Sequence, residues 1–340
     1  MKIEPIEGDV FKDLNGIFFD VKGLVYPPNK VIAFPRFVPD PSGNREHEGL
    51  AYKKIYAFST RFEFLERKFP QYILYDPVFD EKLCEVPFES VKEYYKPVDR
   101  LQELRLSDEL DELETCALRF FERLKDRIDV PWSKIGISGS LLTKLYTPNS
   151  DIDPIVYGSE NCHNVYEALK TMLEDAKSIP KFYSNEELEE LFRFRFEGTR
   201  VSFEDFVRTE SRKVLQGKFE GRDYFMRFVK WNETEERYGA TKYKNVGYAK
   251  IEAEIEDESE AIFTPNSYKI RNVNILEGVR FPIEEIASFR GRFCEQAKKG
   301  EAVIAQGKVE RVTDSKQSRE YFRLLLGNKT SDYMILAQIN

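Results

Sequence analysis

Apolar and polar positions alternate with a period of two near both ends of the chain and repeat with a helical period between them. Residues 16–26 and 30–34, separated by the turn Pro27-Pro28-Asn29, read as a hairpin, and residues 71–75 as a further strand. Ser90-x-x-Glu93 has the form of a capping box and predicts a short helix, after which Pro97 is expected to open a linker. Over 107–130 the period changes. Leu110, Leu113, Ala117, Phe121, Leu124 and Ile128 fall on one stripe, with acids at the start and Arg119, Arg123, Lys125 and Arg127 toward the end, which predicts one long amphipathic helix whose charges complement its dipole. Beyond Tyr238 the strand period returns over 247–256, 288–297, 302–312, 321–326 and 333–336, with turns at Lys299-Gly300, Asp314-Ser315 and Gly327-Asn328. Short strands at hairpin spacing predict a small barrel or sandwich. The expected fold is α+β in three parts: a β-rich N-terminal domain over 1–100, a central domain over 101–238 with a mixed sheet and helices, and a barrel-like β domain over 239–340.

A length of 340 residues is ample for two to three domains with their own cores. The 41% hydrophobic and 33% charged residues, with 27 Phe and 18 Tyr, exclude a disordered or fibrous chain. No run of about 18 uncharged apolar residues exists, and residues 1–9 are acidic rather than basic with a following apolar stretch, so a cytoplasmic protein with no membrane partner is expected. Cys84, Cys116, Cys162 and Cys294 lie far apart without C-x-x-C spacing, which disfavours zinc and a disulfide framework and predicts small buried side chains. With only His47 and His163, and no G-x-S-x-G, histidine-based nucleophilic catalysis is disfavoured. The net charge of −8 argues against a uniformly basic surface that coats nucleic acid, while leaving room for a local basic groove. Heavy use of Glu, Lys and Arg is the composition of a thermophile's protein.

Chemistry concentrates in residues 134–158. Ile135 and Ile137 predict a buried strand ending at Gly139-Ser140, followed by a short helix to about Tyr146, the turn 147–150, and a second strand opened by Asp151-Ile152-Asp153. Glycine lets a phosphate approach the backbone, where the amides of the following turn can donate to it. Strand alternation puts Asp151 and Asp153 on one face, where two close carboxylates repel unless a cation joins them. Hard oxygen ligands suit Mg²⁺ or Mn²⁺, which can hold a nucleoside triphosphate and lower the pKa of an attacking hydroxyl. No G-x-x-x-x-G-K-[ST] appears, which disfavours P-loop chemistry.

Gly139-Ser140 followed by Asp151-x-Asp153 resembles the fingerprint of the DNA polymerase β-like nucleotidyltransferase superfamily, and the phrase 148–153 is similar to its template-independent members. The layout of the whole chain resembles an archaeal group of predicted nucleotidyltransferases. The resemblance implies that Gly139 and Ser140 hold the β and γ phosphates and that Asp151 and Asp153 ligate both of two Mg²⁺ ions. It also implies a third carboxylate on a following strand. Asp223 is the best-placed candidate, in a hairpin turning at Glu220-Gly221, with Glu204 and Asp205 as alternatives. Lys144, Arg212 and Lys213 are further candidates for binding the nucleotide, since Arg and Lys supply several donors to phosphate oxygens. Basic residues over 193–213 interleave with Phe192, Phe194, Phe196, Phe203 and Phe206, and Phe289, Arg290, Arg292 and Phe293 have the character of a single-strand-binding surface, although an amphipathic or core role accounts for both patterns. The expected function is metal-dependent transfer of a nucleoside monophosphate from an NTP to an acceptor hydroxyl, with an RNA 3′ end favoured and pyrophosphate released. A protein or small-molecule acceptor, and a nucleotide- or RNA-binding module without turnover, are the alternatives.

Overall fold

The computed structural model describes residues 4–175, 177–195, 201–231 and 237–337. The protein is mixed α+β with more strand than helix, and its chain divides into two compact units. The first comprises Met1–Asp76, Glu81–Lys181 and Leu215–Glu235, and the second Pro77–Asp80, Phe182–Val214 and Glu236–Asn340.

The first unit opens with β1 (Val10–Asp13), β2 (Phe18–Val21), β3 (Lys30–Pro39), β4 (Arg45–His47), β5 (Leu50–Lys54), α1 (Phe58–Lys68), β6 (Ile73–Asp76), β7 (Glu81–Pro87) and β8 (Val91–Tyr95). The sheet runs β4-β5-β3-β2-β1-β8, and β7 joins the near end of β3 and carries β6. Alternation divides the apolar residues between two faces. Phe11, Phe19, Val21, Ala33 and Leu65 belong to one cluster, while Phe18, Phe37 and Tyr52 pack with Leu142 and Leu145 of the central motif. The expected helix after Ser90 is strand β8 instead. Its pairing with β1 and the bond from Tyr94 Oη to Asp9 (2.7 Å) override the local capping signal. Pro97 does not open a linker but starts α2 (Pro97–Leu106), where its missing N–H costs no bond.

The single helix expected over 107–130 is also divided. Ser107 ends α2, and α3 (Glu112–Lys125) begins at Asp111, which accepts from Glu114 N (2.8 Å) while the Glu114 carboxylate accepts from Asp111 N. Leu113, Ala117, Phe121 and Leu124 of the predicted stripe are buried. There follow β9 (Ile135–Ile137), α4 (Gly139–Leu142), β10 (Pro154–Tyr157), α5 (Ser159–Glu174), β11 (Gln216–Phe219), β12 (Arg222–Phe225) and β13 (Arg227–Val229). Strand β10 lies between antiparallel β9 and parallel β13, a mixed sheet. Helices α3 and α5 cover one face, with Phe120 against Tyr224 (5.1 Å between centroids) and Tyr166 against Phe228 (6.5 Å). On the other face Ile155, Tyr157 and Val229 pack against Ile6, Leu24 and Val98.

The second unit contains α6 (Asn185–Arg195), α7 (Phe203–Glu210), β14 (Thr241–Asp257), β15 (Asn266–Gly278), β16 (Ile283–Ser288), β17 (Ala302–Asp314), β18 (Arg319–Leu326) and β19 (Tyr333–Leu336). Pairing runs β14-β15-β16-β18-β17 and returns to β14, curving the sheet into a barrel-like form around Ile251, Ile255, Ile286, Val309 and Leu324. The strand expected over 288–297 stops at Ser288, and Gly291–Phe293 forms a 3₁₀ turn. Phe293 is buried and its carbonyl accepts from Tyr268 Oη, so its ring belongs to the core rather than to a base-stacking surface. Phe192 packs on Phe203 and Phe206 within a helical hairpin; Phe196 lies outside the described residues. None of the four cysteines forms a disulfide, and all are buried. No described helix is long and apolar enough to cross a membrane.

Candidate active site

The local sequence of the motif dictates its geometry. Buried Ile135 and Ile137 anchor β9, Ser138 N donates to Asp153 O (2.8 Å), and Gly139 then turns with φ +64°. A Cβ at Gly139 would lie 1.8 Å from Asp153 Oδ2, so only glycine allows the backbone this approach to the carboxylate. The single turn of α4 places Ser140 in the interior, 2% exposed, with a hydroxyl that has no hydrogen-bond partner among the described residues. Arg100 Nε donates to Leu141 O (3.0 Å), Arg45 Nη1 donates to Leu145 O, and Arg100 is itself held by Glu114 and Glu103. The turn that follows is closed by Thr147 N to Ser150 Oγ and Ser150 N to Thr147 O, both 2.9 Å, and delivers Asp151 to the head of β10.

Asp151 and Asp153 share a face of the sheet by alternation. Burial, and next the charge of Asp151, push the Asp153 carboxyl up to about 7, while Lys54, Arg227 and Arg36 pull in the other direction. A divalent cation relieves such a pair, because the repulsion that raises the proton affinity is the same field that attracts the cation. Two carboxylates fit one hard divalent ion whose remaining positions phosphate oxygens and water can fill. Among the described residues no third Asp, Glu, His or Cys joins them in a group that could hold a metal.

Asp223 lies on the expected strand but turns elsewhere. Ile152 bridges Tyr224 in parallel register, with Ile152 N donating to Asp223 O (2.9 Å) and Phe225 N to Ile152 O (3.0 Å). This register sets Asp223 beside Asp151, Phe225 beside Asp153 and, further along, Arg227 beside Ile155, all on one face. The Asp223 side chain, 52% exposed, pairs with Lys218 (3.0 Å), its register partner across the β11–β12 hairpin. Glu204 and Asp205, the alternatives, are in the first turn of α7 in the second unit, where Asp205 serves the Ser202 cap. The place beside Asp153 is thus taken by Phe225 and the next by an arginine.

The other candidates separate as well. Lys144 follows α4 with φ +57° and reaches Glu103 (3.6 Å) from an exposed position. Arg212 and Lys213 do not offer their charge to a phosphate. Arg212 grips Glu301 with both terminal nitrogens, and Lys213, 3% exposed, is enclosed between Glu210 (2.6 Å) and Arg292 O (2.8 Å), all within the second unit. Sequence reasoning counted these cations without seeing the distant acids that consume them. Arg36 and Lys54, which together with Arg227 act on Asp153, went unmarked. No local motif marks them, and only the apposition of two sheets brings them together.

The fold and site define a mixed α+β protein whose first unit sets an Asp-x-Asp strand against a glycine turn. No protein-family model and no solved structure matches the chain. It is 33% identical over 328 residues to an uncharacterized protein of Methanocaldococcus jannaschii, covering 94% of each chain. The protein belongs to the family that this relative represents.

Proposed function

We propose that the first unit is a nucleotidyltransferase of the polymerase β-like type, which transfers a nucleoside monophosphate from an NTP to an acceptor hydroxyl. The observation that carries this reading is the packing of the Gly139 backbone against the Asp153 carboxylate, with the unpartnered Ser140 hydroxyl next along the chain. The helices on one face of the β9-β10-β13 sheet, and the placement of Asp151 and Asp153 on the other, support it. In this reading Ser140 Oγ donates to a phosphate oxygen, the missing side chain at Gly139 lets the Asp153 carboxylate lie beside that turn, and Asp151 and Asp153 would hold one Mg²⁺ or Mn²⁺. Such an ion neutralises phosphate charge and acidifies an acceptor hydroxyl. The acceptor oxygen bonds to the α-phosphorus as the bond to the β-phosphate oxygen breaks, and pyrophosphate leaves. Positioning supplies much of the rate in such in-line displacements. We favour an RNA 3′ hydroxyl as the acceptor, since β-rich elements flanking the motif suit a polymer.

A second reading, nucleotide binding without turnover, is favoured by one observation: Asp223 pairs with Lys218 instead of joining Asp151 and Asp153. One experiment divides the two. The protein is incubated with Mg²⁺ or Mn²⁺, each α-labelled NTP and total RNA, beside the Asp151→Ala/Asp153→Ala variant. RNA labelling that disappears in the variant supports transfer, and labelling of a protein instead changes the acceptor. NTP binding with neither labelling nor pyrophosphate release supports the second reading.

A further inference from the structure

The single turn of α4 cannot hold its own shape. A helix of four residues makes too few hydrogen bonds to offset the ordering of its backbone, and its last carbonyls meet no further helical amides. The chain closes part of this end itself: Lys144, with φ +57°, donates its N–H to Leu141 O (3.5 Å), and Leu145 N donates to Ser140 O (3.0 Å). Two more donors come from distant elements. Arg100 of α2, 6% exposed, donates from Nε to Leu141 O (3.0 Å), and Arg45 of β4, 9% exposed, donates from Nη1 to Leu145 O. Both arginines are themselves fixed. Arg100 pairs with Glu103 (3.1 Å), which also meets Lys144 (3.6 Å), and with Glu114 of α3. The Arg45 guanidinium lies 5.5 Å from the centroid of the Phe37 ring. Tyr52, opposite Arg45 across the β4–β5 pair, packs with Phe37 on Leu142 and Leu145. On the other side of the turn, Ser138 Oγ donates to Gly8 O (2.8 Å), a junction beside Asp9. The N-terminal sheet thus holds the motif both before and after Ser140.

Packing alone does not explain Arg45. Its Nε is buried without a hydrogen-bond partner among the described residues, as is Tyr52 Oη across the strand pair. A buried donor left unpaired costs stability, and an apolar side chain against Phe37 would carry no such cost. What the guanidinium supplies, and an apolar side chain cannot, is a hold on the Leu145 carbonyl. Arg100 does the same at Leu141, the residue directly after Ser140, whose hydroxyl is also without a partner among the described residues. A hydroxyl that must meet a ligand at hydrogen-bond distance binds better when its turn is already fixed, because no ordering is left to be done on binding. We propose that Arg45 and Arg100 are positioning residues, which hold the 139–145 turn by its carbonyls so that Ser140 Oγ is set in place before the phosphate of a nucleotide arrives. The proposal rests on the nucleotidyltransferase reading for the identity of the ligand, while the hold on the turn rests on the hydrogen bonds themselves. Through β4, the N-terminal sheet becomes a support of the active turn.

The test joins two measurements on the full chain: hydrogen–deuterium exchange of peptides covering 138–146 and, for comparison, α5, and calorimetric titration with Mn²⁺ and ATP, CTP, GTP or UTP in turn. Arg45→Met and Arg100→Met keep an unbranched apolar stem and lose the donors. Each is expected to speed exchange over 138–146 severalfold with α5 unchanged, and to weaken NTP binding by about tenfold. Arg45→Lys, which keeps a donor for Leu145 O, is expected to restore most of both. Arg67→Met, in the exposed last turn of α1, is expected to match wild type. Melting curves establish that each variant folds. Should Arg45→Met not fold, Arg45→Gln, a shorter neutral donor, decides in its place. Exchange over 138–146 equal to wild type, or faster to the same degree in α5, overturns the proposal. If NTP binds equally to wild type and to variants whose turn exchanges faster, the positioning role fails while the nucleotidyltransferase reading stands. If the turn loosens selectively but no NTP binds to wild type, the hold on the turn stands and that reading fails.

Discussion

Gly139 is the residue on which the motif turns. Alanine there has a positive φ to adopt and a methyl group directed at Asp153 Oδ2, 1.8 Å away, so either the turn or the carboxylate must move. Gly139→Ala is expected to cost on the order of 2 kcal/mol of stability in urea unfolding and to abolish Mn²⁺-dependent NTP binding. Loss of stability with binding intact would show that Asp153 plays no part in the nucleotide's site. Asp9, close to the same junction, gives a prediction of a different kind. Burial pushes its carboxyl up to about 7, although Tyr94 Oη and Ile6 N both donate to it. The folded state therefore holds this proton more tightly than the unfolded chain, in which an aspartate titrates near 4. The contribution to stability is full below about pH 4 and is lost as the pH rises through about 7. Asp9→Asn keeps an acceptor for both donors and cannot ionise. Its stability should fall less steeply than wild type in urea melts between pH 5 and 8; parallel slopes would show that Asp9 titrates normally.

At the scale of elements, what was legible in the sequence was local. Strand, Gly139-Ser140, turn and Asp151-x-Asp153 lie within one short segment, and the β2–β3 and β11–β12 hairpins announce themselves through their turns. Misreadings arose where distant pairing decided. Val91–Tyr95 is a strand because β1 lies beside it, and residues 107–130 are not one helix because Asp111 starts a new one only four residues after Ser107 ends the last. The third acid shows both sides of this. The strand and face of Asp223 were legible, whereas its partner Lys218 was set by hairpin register. That register gives a prediction. Lys218→Met removes the cation that holds Asp223 away from Asp151, so Mn²⁺ binding should tighten severalfold, and adding Asp223→Asn should cancel the gain. Equal Mn²⁺ affinity in all three proteins would show that Asp223 does not reach the metal from this strand.

At the scale of the whole molecule, the chain does not lay its two units end to end. It leaves the first at Pro77–Asp80 and again for Phe182–Val214, returns at Leu215, and leaves once more at Glu236. The inserted stretch brings α6 and α7 to the second unit and ends in Arg212 and Lys213, whose ion pairs with Glu301 and Glu210 belong wholly to that unit. A fragment of residues 239–340, the domain expected from sequence, keeps every barrel-like strand but loses α7, which packs on β19, and leaves Glu301 without its guanidinium. Breaking a half-buried bidentate pair and stripping an amphipathic helix from an edge strand should both destabilise it. The fragment is therefore expected to aggregate or melt well below one in which 182–214 is joined to it by a flexible linker, as read by circular dichroism melts and limited proteolysis. Arg212→Ala in the linked fragment should reproduce part of the deficit. If instead 239–340 alone melts as high as the linked form, the helical insertion contributes nothing to the second unit's fold, and its basic residues would have to be explained by something other than the ion pairs they make.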